Sequence, residues 1–375
     1  MHTSSDVSIA NALAAATERL RAGGGDTPRL DAEVLLAHVL GVARAALLTH
    51  PNRALTDEER SSYDVLIGRR ARGEPVAYLV GARDWYDLTL QVTPAVLVPR
   101  PETEGLLERA LAWARARRIR TAVDVGTGSG ALAIALARAL PGAAVYATDL
   151  SPAALDVARA NARRIDPALN LTFLHGDLLA PLPEPIDLIV ANLPYIGEEE
   201  YTGLMPDVRL YEPRAALVGG PEGHELIARL LSMAPAWLRP GGALFLELGP
   251  PQAAPALLAA RAIFPDAAIR LDNDYAGLAR YLVVDIARWA ARDDAHHDSG
   301  RVPGRVQPAF HGACAGGDRV VRQQARAGVP PRLARGQRGL ARPHRAHGND
   351  AGGSRRHEPL PVHRAARGGG CPSLG

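Results

Sequence analysis

The sequence predicts an α/β protein whose main domain is a doubly wound, mainly parallel sheet, preceded by a small helical bundle and a β-hairpin linker. Three patterns support this class. In residues 1–80 apolar side chains recur at helical spacing, residues 81–100 alternate with a period of two, and from residue 121 short apolar strands alternate with helices. Strands and helices that alternate in this way are typical of a parallel sheet covered by helices on both faces.

The helical region, residues 1–80, contains three predicted helices. SIANALAAATERLRAGG and RLDAEVLLAHVLGV have apolar residues at positions i, i+3, i+4 and i+7, and TDEERSSYDVLIGRRARG is the third segment. Glycines close to the ends of the first two are helix C-terminal signals. The third begins at Thr56 with Glu59 three residues later, which predicts a capping box. We expect a small bundle that carries no catalytic side chain.

The linker and the main domain differ in their hydrophobic period. Within residues 81–100 the stretch DWYDLTLQVTPAVLVP alternates and is rich in Val, Leu and Tyr, which predicts a β-hairpin. Residues 101–290 form the main domain. Its predicted strands are TAVDV, AVYATD, LTFLH, IDLIVA, ALFLEL, AIRL and YLVVDI. The last two, joined by DNDYAGLAR, suggest an antiparallel pair at one edge of the sheet.

Residues 291–375 have a different composition from the rest of the chain. They contain 15 Arg and six acidic residues, a net charge of +9, whereas residues 1–290 carry −6. They also contain 15 Gly and 8 Pro and no Ile. Such a segment cannot bury enough apolar surface to offset the entropy cost of ordering it, so we expect a disordered tail. A shifted reading frame or read-through in GC-rich DNA is an alternative origin for it.

Several classes of protein and of site are excluded by composition. No run of eighteen apolar residues occurs, and MHTSSDVS lacks the basic and apolar parts of a secretory signal, so we expect a cytoplasmic protein. Both cysteines, Cys314 and Cys371, lie in the tail, which excludes a disulfide or a thiolate metal site in residues 1–290. The chain has no Lys, which excludes a Schiff-base lysine. We expect no metal.

A glycine-rich loop marks the first candidate site. VDVGTGSGALAIALA follows a predicted strand and opens a helix, and Gly126, Gly128 and Gly130 allow a tight turn and a close approach to a ligand. Asp149 ends the next strand, 19 residues after Gly130, where a carboxylate can accept both hydroxyls of a ribose. The alternative is a strand–helix turn without a ligand, because such loops are common.

The spacing of this loop indicates which nucleotide-like ligand it holds. In the dinucleotide fingerprint G-x-G-x-x-G the third glycine comes one residue later, and Asp124 would repel a pyrophosphate. A ligand with a cationic amino group suits Asp124 better, and S-adenosylmethionine has one. Asp177, in HGDLL after the third strand, is placed to accept from an adenine amino group, although this stretch is also compatible with an ordinary turn.

The stretch IDLIVANLPYIGEEE carries the second candidate site. Its strand delivers Asn192 to the carboxyl edge of the sheet, where open α/β sheets bind ligands. Asn192 Oδ1 and the Leu193 carbonyl can accept the two hydrogens of a planar NH2, and Tyr195 can pack against its face. Pro194 biases Leu193 towards an extended conformation. This arrangement suits methylation of an amide or an aromatic amine without a strong general base. An Asx-type turn is the alternative.

Over residues 8–286 the chain resembles a known family. ANLPYI resembles the N-P-P-Y signature of amino methyltransferases, and the remaining motifs resemble the bacterial release-factor glutamine methyltransferases (the HemK/PrmC family). The matching stretches are PRLDAEVLLAHVLG, GEPVAYLVGARDWYDLTLQV, LVPRPETEGLLERAL, DVGTGSGALAIALA, ATDLSPAALDVARANA, YEPRAALVGGPEG and LRPGGALFLELG.

The resemblance implies a fold, an activity and a set of site residues. The family methylates the side-chain amide nitrogen of the glutamine in the Gly-Gly-Gln loop of class I peptide chain release factors. Its seven-stranded, Rossmann-like, S-adenosylmethionine-dependent domain follows a helical bundle that recognises the substrate and a hairpin linker. The implied cofactor-binding residues are Gly126, Thr127, Gly128, Ser129, Gly130, Asp149, Asp177, Leu178 and Asn192. The implied catalytic and substrate-binding residues are Asn192, Leu193, Pro194 and Tyr195. Residues 100–104 are implied to lie over the cofactor pocket.

Two positions depart from the family pattern, and other substrates stay open. Leu178 replaces the aromatic residue that some members have beside the adenine, and Leu193 replaces the first Pro of N-P-P-Y. A glutamine of a ribosomal protein, or an adenine of ribosomal RNA or DNA, is an alternative substrate. A non-catalytic module that binds NAD is a further alternative. PRPETE resembles the release-factor branch, and the charge of −6 in residues 1–290 disfavours nucleic acid. We expect a monomer.

Overall fold

The structure is a computed structural model that describes residues 7–286. The predicted tail, residues 291–375, lies outside the described residues. The described chain begins with five helices. They are α1 (Ile9–Ala22), α2 (Pro28–Leu40), α3 (Arg44–Thr49), α4 (Asp57–Arg70) and α5 (Val76–Val80). No helix of residues 7–286 is long and apolar enough to cross a membrane.

The helices of this region pack around their own apolar core. Leu13 of α1, Leu35 and Leu36 of α2 and Tyr63 of α4 are all buried in it. The capping box predicted at the start of α4 is confirmed, because the Thr56 side chain accepts from the Glu59 amide and Glu59 accepts from the Thr56 amide. A capping box satisfies two amide groups that the helix itself leaves unpaired.

The hairpin is shorter than the alternating stretch that predicts it. Strands β1 (Ala82–Trp85) and β2 (Leu88–Gln91) pair antiparallel, and the chain continues from Val92 as a connector without strand pairing. Pro94 and Pro99 lack the amide hydrogen that a ladder needs, which explains where the pairing ends. The alternation beyond Gln91 reflects buried side chains of the connector, since Val92, Val96 and Val98 are buried.

The main domain contains a seven-stranded sheet and a short two-stranded one. Its strands are β3 (Thr121–Val125), β4 (Ala144–Asp149), β5 (Leu171–His175), β6 (Ile186–Asn192), β7 (Ile196–Gly197), β8 (Val218–Gly220), β9 (Leu238–Glu247), β10 (Ala268–Asn273) and β11 (Ala279–Asp285). The large sheet has the order β10-β11-β9-β6-β3-β4-β5, and β7 pairs with β8. In this sheet β11 runs in the opposite direction to the other six strands. The predicted Rossmann-like fold and the antiparallel pair at its edge are confirmed.

Five helices cover the two faces of the large sheet. They are α6 (Pro101–Ala114), α7 (Ala131–Ala139), α8 (Pro152–Ile165), α11 (Glu225–Trp237) and α12 (Pro250–Ile263). Two short helices, α9 (Glu198–Thr202) and α10 (Pro206–Tyr211), lie between β7 and β8 in the chain and bury no residue. Leu106 and Leu107 of α6 pack on one face, and Leu230 and Leu231 of α11 pack on the other. Because the strands are buried on both faces, they are almost continuously apolar.

The order of the strands places two loops side by side. From β3 the chain moves outward to β4 and β5, then returns to β6 on the other side of β3. The loops that leave the carboxyl ends of β3 and β6 therefore diverge at this switch point and leave a crevice. Open α/β sheets bind ligands in such a crevice.

Asn161 of α8 joins the hairpin to the loop after β3. Its side chain is fully buried and is hydrogen-bonded to backbone groups of both. Nδ2 donates to the carbonyls of Gln91 and Ser129, at 2.9 Å each, and Oδ1 accepts from the Gln91 amide at 2.7 Å. One side chain therefore satisfies three backbone groups from two separate elements.

Candidate active site

A cavity of about 370 Å³ lies at the carboxyl edge of the sheet, over the switch point. Its wall is formed by the ends of four strands and the turns that follow them: residues 124–129, 148–151, 176–178 and 192–194. The connector and the first turn of α6 add Arg100 and Thr103. The loops singled out in the sequence as two separate candidate sites thus line a single cavity.

The backbone conformation of the loop after β3 requires glycine at three positions. Gly126, Gly128 and Gly130 have φ values of 73°, 55° and 87°, in the left-handed region. A methyl group on Gly130 would also lie 3.1 Å from the Ala158 side chain. The amides of Gly126 and Thr127 donate to the Thr148 carbonyl at 2.8 and 3.0 Å, which ties the loop to the end of β4.

Asp149 is held at the cavity wall by two backbone amides. Its Oδ2 accepts from the Gly128 amide at 2.9 Å, and its Oδ1 accepts from the Ser151 amide at 2.8 Å. Each carboxylate oxygen has a further lone pair for a ligand. The glycine loop and the acid predicted to act with it are therefore brought together, and this carboxylate can hold the hydroxyls of a ribose.

Asp124 is buried beside the cavity with one oxygen unpaired. Its Oδ2 accepts from Thr127 Oγ1 at 2.7 Å and from the Ala133 amide at 3.1 Å. Its Oδ1 has no hydrogen-bond partner among the described residues. Burial raises the pKa of this carboxyl group to about 7. A cationic donor in the cavity would satisfy Oδ1 and stabilise the ionised form.

Asp177 and Leu178 form the far wall of the cavity. The Asp177 carboxylate, which is partly exposed, forms an ion pair with Arg229 of α11. Leu178 is buried and has a φ of 49°, which is rare for a residue with a branched side chain. Strained backbone of this kind clusters at ligand sites, where the surrounding structure enforces it.

Asn192 and Leu193 lie directly beside the glycine loop. Asn192 Nδ2 donates to Thr103 Oγ1 at 2.9 Å, and Oδ1 accepts no hydrogen bond from residues 7–286. The Leu193 side chain is buried, and a methyl group on Gly126 would lie 3.1 Å from its Cδ2 atom. The end of β6 therefore faces the turn after β3, as the chemistry inferred from the sequence requires.

Pro194 and Tyr195 are held from behind by two glycines of the loop around β8. A methyl group on Gly219 would lie 2.2 Å from the Pro194 carbonyl oxygen, and one on Gly223 would lie 2.3 Å from the Tyr195 carbonyl oxygen. The Tyr195 ring packs against Gly249 rather than along the cavity wall, and burial raises the pKa of its hydroxyl to about 12. At this point the wall consists of residues 192–194.

Polar groups that no sequence motif indicated lie behind this wall. Thr103 Oγ1 donates to Glu247 Oε2 at 2.7 Å, and burial raises the pKa of Glu247 to about 7. Glu212, also buried, accepts from Arg100 Nη2 at 2.6 Å and from the Val98 amide at 3.2 Å. The sequence contains one indication of Glu247, because it is an acidic residue inside the apolar strand ALFLEL. A carboxyl group buried in such a strand requires a hydrogen-bond or charged partner.

Two segments of the described chain match known protein families. Residues 11–81 match the PrmC N-terminal domain, and residues 122–209 match a methyltransferase domain. The chain is 44% identical over 272 residues to a release factor glutamine methyltransferase of Moorella thermoacetica, an alignment that covers 72% of this chain and 96% of that protein. It is 42% identical over 276 residues to a release factor glutamine methyltransferase of Vibrio cholerae, with 72% and 94% covered.

One solved structure that aligns with this chain is described as a protein-(glutamine-N5) methyltransferase, release factor-specific, from Alicyclobacillus acidocaldarius. It is 28% identical to this chain, and the alignment covers 53% of this chain and 99% of that one, with a TM-score of 0.33.

Proposed function

The chain belongs to the family of release factor glutamine methyltransferases, and we propose that residues 192–194 hold the glutamine amide beside a cofactor bound over residues 126–130. The enzyme transfers a methyl group from S-adenosylmethionine to the side-chain amide nitrogen of a glutamine in class I release factors. One contact carries the proposal: Leu193, next to Asn192, packs on Gly126 of the glycine loop. The acceptors for the amide and the loop for the cofactor therefore share one cavity.

The cavity fits S-adenosylmethionine at both ends of that molecule. Asp149, which two amides orient, would accept the ribose hydroxyls, and Asp177 with Leu178 would flank the adenine, since all three residues line the cavity. Asp124 Oδ1 is buried and has no hydrogen-bond partner among the described residues, so it suits the cationic amino group of the cofactor. That group would donate a charge-assisted hydrogen bond to it. When bound, S-adenosylmethionine supplies an electrophilic methyl group on a positively charged sulfur.

Asn192 and Leu193 orient the nucleophile. An amide nitrogen is weakly nucleophilic because its lone pair is delocalised into the carbonyl group. Asn192 Oδ1 and the Leu193 carbonyl accept its two hydrogens and hold the nitrogen with one face directed over the glycine loop. Correct orientation of this kind can contribute on the order of 7–11 kcal/mol to lowering a barrier. As the bond between the nitrogen and the methyl group forms, the nitrogen becomes strongly acidic. It then releases one of its two hydrogens as a proton, past the oxygen that accepts it, to solvent. A strong base is therefore not required.

Labelled S-adenosylmethionine and a purified class I release factor provide the direct test. We expect label on a single glutamine of the release factor, located by mass spectrometry of its peptides. A ribosomal protein and an adenine-containing RNA, offered in parallel, are the controls. Label on either of these, and none on the release factor, would contradict the assigned substrate.

Calorimetry tests the cofactor independently of the substrate. We expect S-adenosylmethionine to bind and NAD not to bind, because the early third glycine and Asp124 both disfavour a pyrophosphate. Binding of NAD alone would contradict the cofactor assignment whatever the methylation assay shows.

A further inference from the structure

Thr103 lies between Asn192 and Glu247 and is hydrogen-bonded to both. Asn192 Nδ2 donates to Thr103 Oγ1 at 2.9 Å, and Thr103 Oγ1 donates to Glu247 Oε2 at 2.7 Å. Thr103 and Glu247 are 6% and 1% exposed, so the hydrogen bond between them is shielded from bulk water. Asn192 and Glu247 are also direct neighbours across β6 and β9. The three side chains form a line from the cavity wall into the interior.

Glu247 determines which atom donates in each of the two hydrogen bonds. Above its pKa of about 7 the Glu247 carboxylate has no hydrogen to donate, so Thr103 must give its single hydroxyl hydrogen to Glu247. Only lone pairs then remain on Oγ1 for Asn192, and Asn192 must turn its NH2 towards Thr103. Its Oδ1 is consequently the end that is left for a ligand. Without this constraint Thr103 could donate its hydrogen to Asn192 Oδ1 instead. Either orientation of the Asn192 amide could then form a hydrogen bond with Thr103.

The first turn of α6 is fixed on two sides, so Thr103 has little freedom to move. Tyr281 donates its hydroxyl hydrogen to the Glu102 carbonyl at 2.7 Å, and a methyl group on Gly105 would lie 2.3 Å from that hydroxyl oxygen. On the connector side, Trp85 Nε1 donates to the Arg100 carbonyl at 2.8 Å. A side chain that is buried on a fixed backbone holds its neighbours in a defined geometry.

We propose that Thr103 and Glu247 are positioning residues for the methylation, which fix the Asn192 amide with its oxygen towards the glutamine NH2. This inference rests on the proposed role of Asn192. Thr103 acts through Asn192, and Glu247 acts through Thr103. An Asn192 amide turned the other way would present NH2 to the NH2 of the substrate, so the pair would lose its hydrogen bond.

Substitution of Thr103 separates the hydroxyl group from the shape of the side chain. Thr103→Val keeps the shape and removes the hydroxyl, whereas Thr103→Ser keeps the hydroxyl. With a purified class I release factor and labelled S-adenosylmethionine, we expect Thr103→Val to lower kcat roughly 5–100-fold, with a cofactor Kd close to wild type. We also expect a lower melting temperature, because the buried Glu247 carboxylate loses its hydrogen-bond donor. Thr103→Ser is expected to retain most of the wild-type kcat. A wild-type kcat for the Val variant, or a Ser variant as slow as the Val variant, would overturn the proposal.

Glu247→Gln tests the far end of the line. A glutamine can donate as well as accept, so it no longer dictates the direction of the Thr103 hydrogen bond. We expect a loss of kcat in the same direction as for Thr103→Val, and no additional loss when the two are combined. The groups that face Glu247 are Glu102, Tyr195, Arg280 and Tyr281, and assays at about pH 8.5 keep its carboxyl group ionised. A wild-type kcat for Glu247→Gln would remove Glu247 from the proposal.

A double-mutant cycle distinguishes this inference from the proposed function. If Thr103 acts through Asn192, Thr103→Val has no further effect in an Asn192→Ala background. Losses that add would show that Thr103 acts elsewhere and would overturn the positioning role. A fully active Asn192→Ala enzyme would contradict the proposed function itself. A slow Asn192→Ala enzyme with an unaffected Thr103→Val enzyme would overturn the positioning role alone.

Discussion

Leu193 packs on Gly126, and a methyl group on that glycine would lie 3.1 Å from Leu193 Cδ2. The contact brings together the ends of β3 and β6, two neighbouring strands whose loops belong to different parts of the sequence. A methyl transfer requires donor and acceptor atoms within a few ångströms of each other. The packing of one leucine side chain on one glycine is what keeps the proposed amide site within that reach.

Asn192→Ala is expected to lower turnover on the order of 10²-fold while leaving the affinity for S-adenosylmethionine nearly unchanged. The substitution removes an acceptor for the glutamine amide and leaves the glycine loop intact. Steady-state kinetics and calorimetry measure the two quantities. Asn273→Ala, at an exposed position on β10, is the matched control and should behave as wild type. Equal turnover in the two variants would refute the role of Asn192.

Asp149→Ala is expected to weaken cofactor binding roughly 10–100-fold, because it removes the carboxylate proposed to hold the ribose and frees the Gly128 and Ser151 amides. Isothermal calorimetry gives the change in Kd. Asp156→Ala is the control, since that side chain is 78% exposed and, within residues 7–286, forms an ion pair with Arg159 alone. An unchanged Kd for Asp149→Ala would exclude this carboxylate from the cofactor site.

Gly219→Ala is expected to lower both stability and turnover, because the new methyl group would lie 2.2 Å from the Pro194 carbonyl oxygen. Backbone must move to relieve this contact, and overpacking of this kind costs about 1–3 kcal/mol of the free energy of unfolding. Gly142→Ala is the control, because a methyl group there meets no atom within 4 Å. The free energy of unfolding in urea and the turnover number should both be lower for Gly219→Ala than for Gly142→Ala. Equal values for the two variants would show that the position of residues 194–195 does not depend on Gly219.

The stability of the free enzyme is expected to fall as the pH rises from about 4 to 7, in part because of Asp124. Burial raises the pKa of this carboxyl group from 3.8 to about 7, so between these values the folded chain binds a proton that the unfolded chain has lost. Above pH 7 both states are ionised and the contribution no longer changes. Asp124→Asn removes this slope, at most about 1.4 kcal/mol per pH unit. Urea unfolding at several pH values measures it, and equal slopes for the two proteins would contradict the assignment.

The strands and the two motifs of the cavity were predictable because they are local. Buried parallel strands are apolar runs of five to seven residues, and the glycines and Asn192 follow such runs directly. The polar support of the site was not predictable in this way. Thr103 lies 89 residues from Asn192 and 144 residues from Glu247 in the chain. Such partners depend on which strands are neighbours, and no short stretch of sequence contains that information.

Tyr195 shows a second limit of reasoning from a motif. Its position next to Pro194 suggested a ring on the cavity wall, yet the ring packs against Gly249. The direction of a side chain after a strand end is decided by the packing of the following loop, here by the close approach of Gly219 and Gly223 to the backbone of residues 194–195. A sequence motif fixes which residue is present at such a position, but not the way its side chain turns.

The hydrogen bonds of Asn161 limit which chimeras can be made between this enzyme and other members of its family. Its one buried side chain serves backbone groups of the hairpin and of the glycine loop at the same time. A chimera that takes its first hundred residues from another member must therefore match the donor's hairpin to the recipient's position 161. Where the two disagree, backbone groups of both elements lose their hydrogen-bond partner. The first hundred residues and position 161 should therefore be exchanged together.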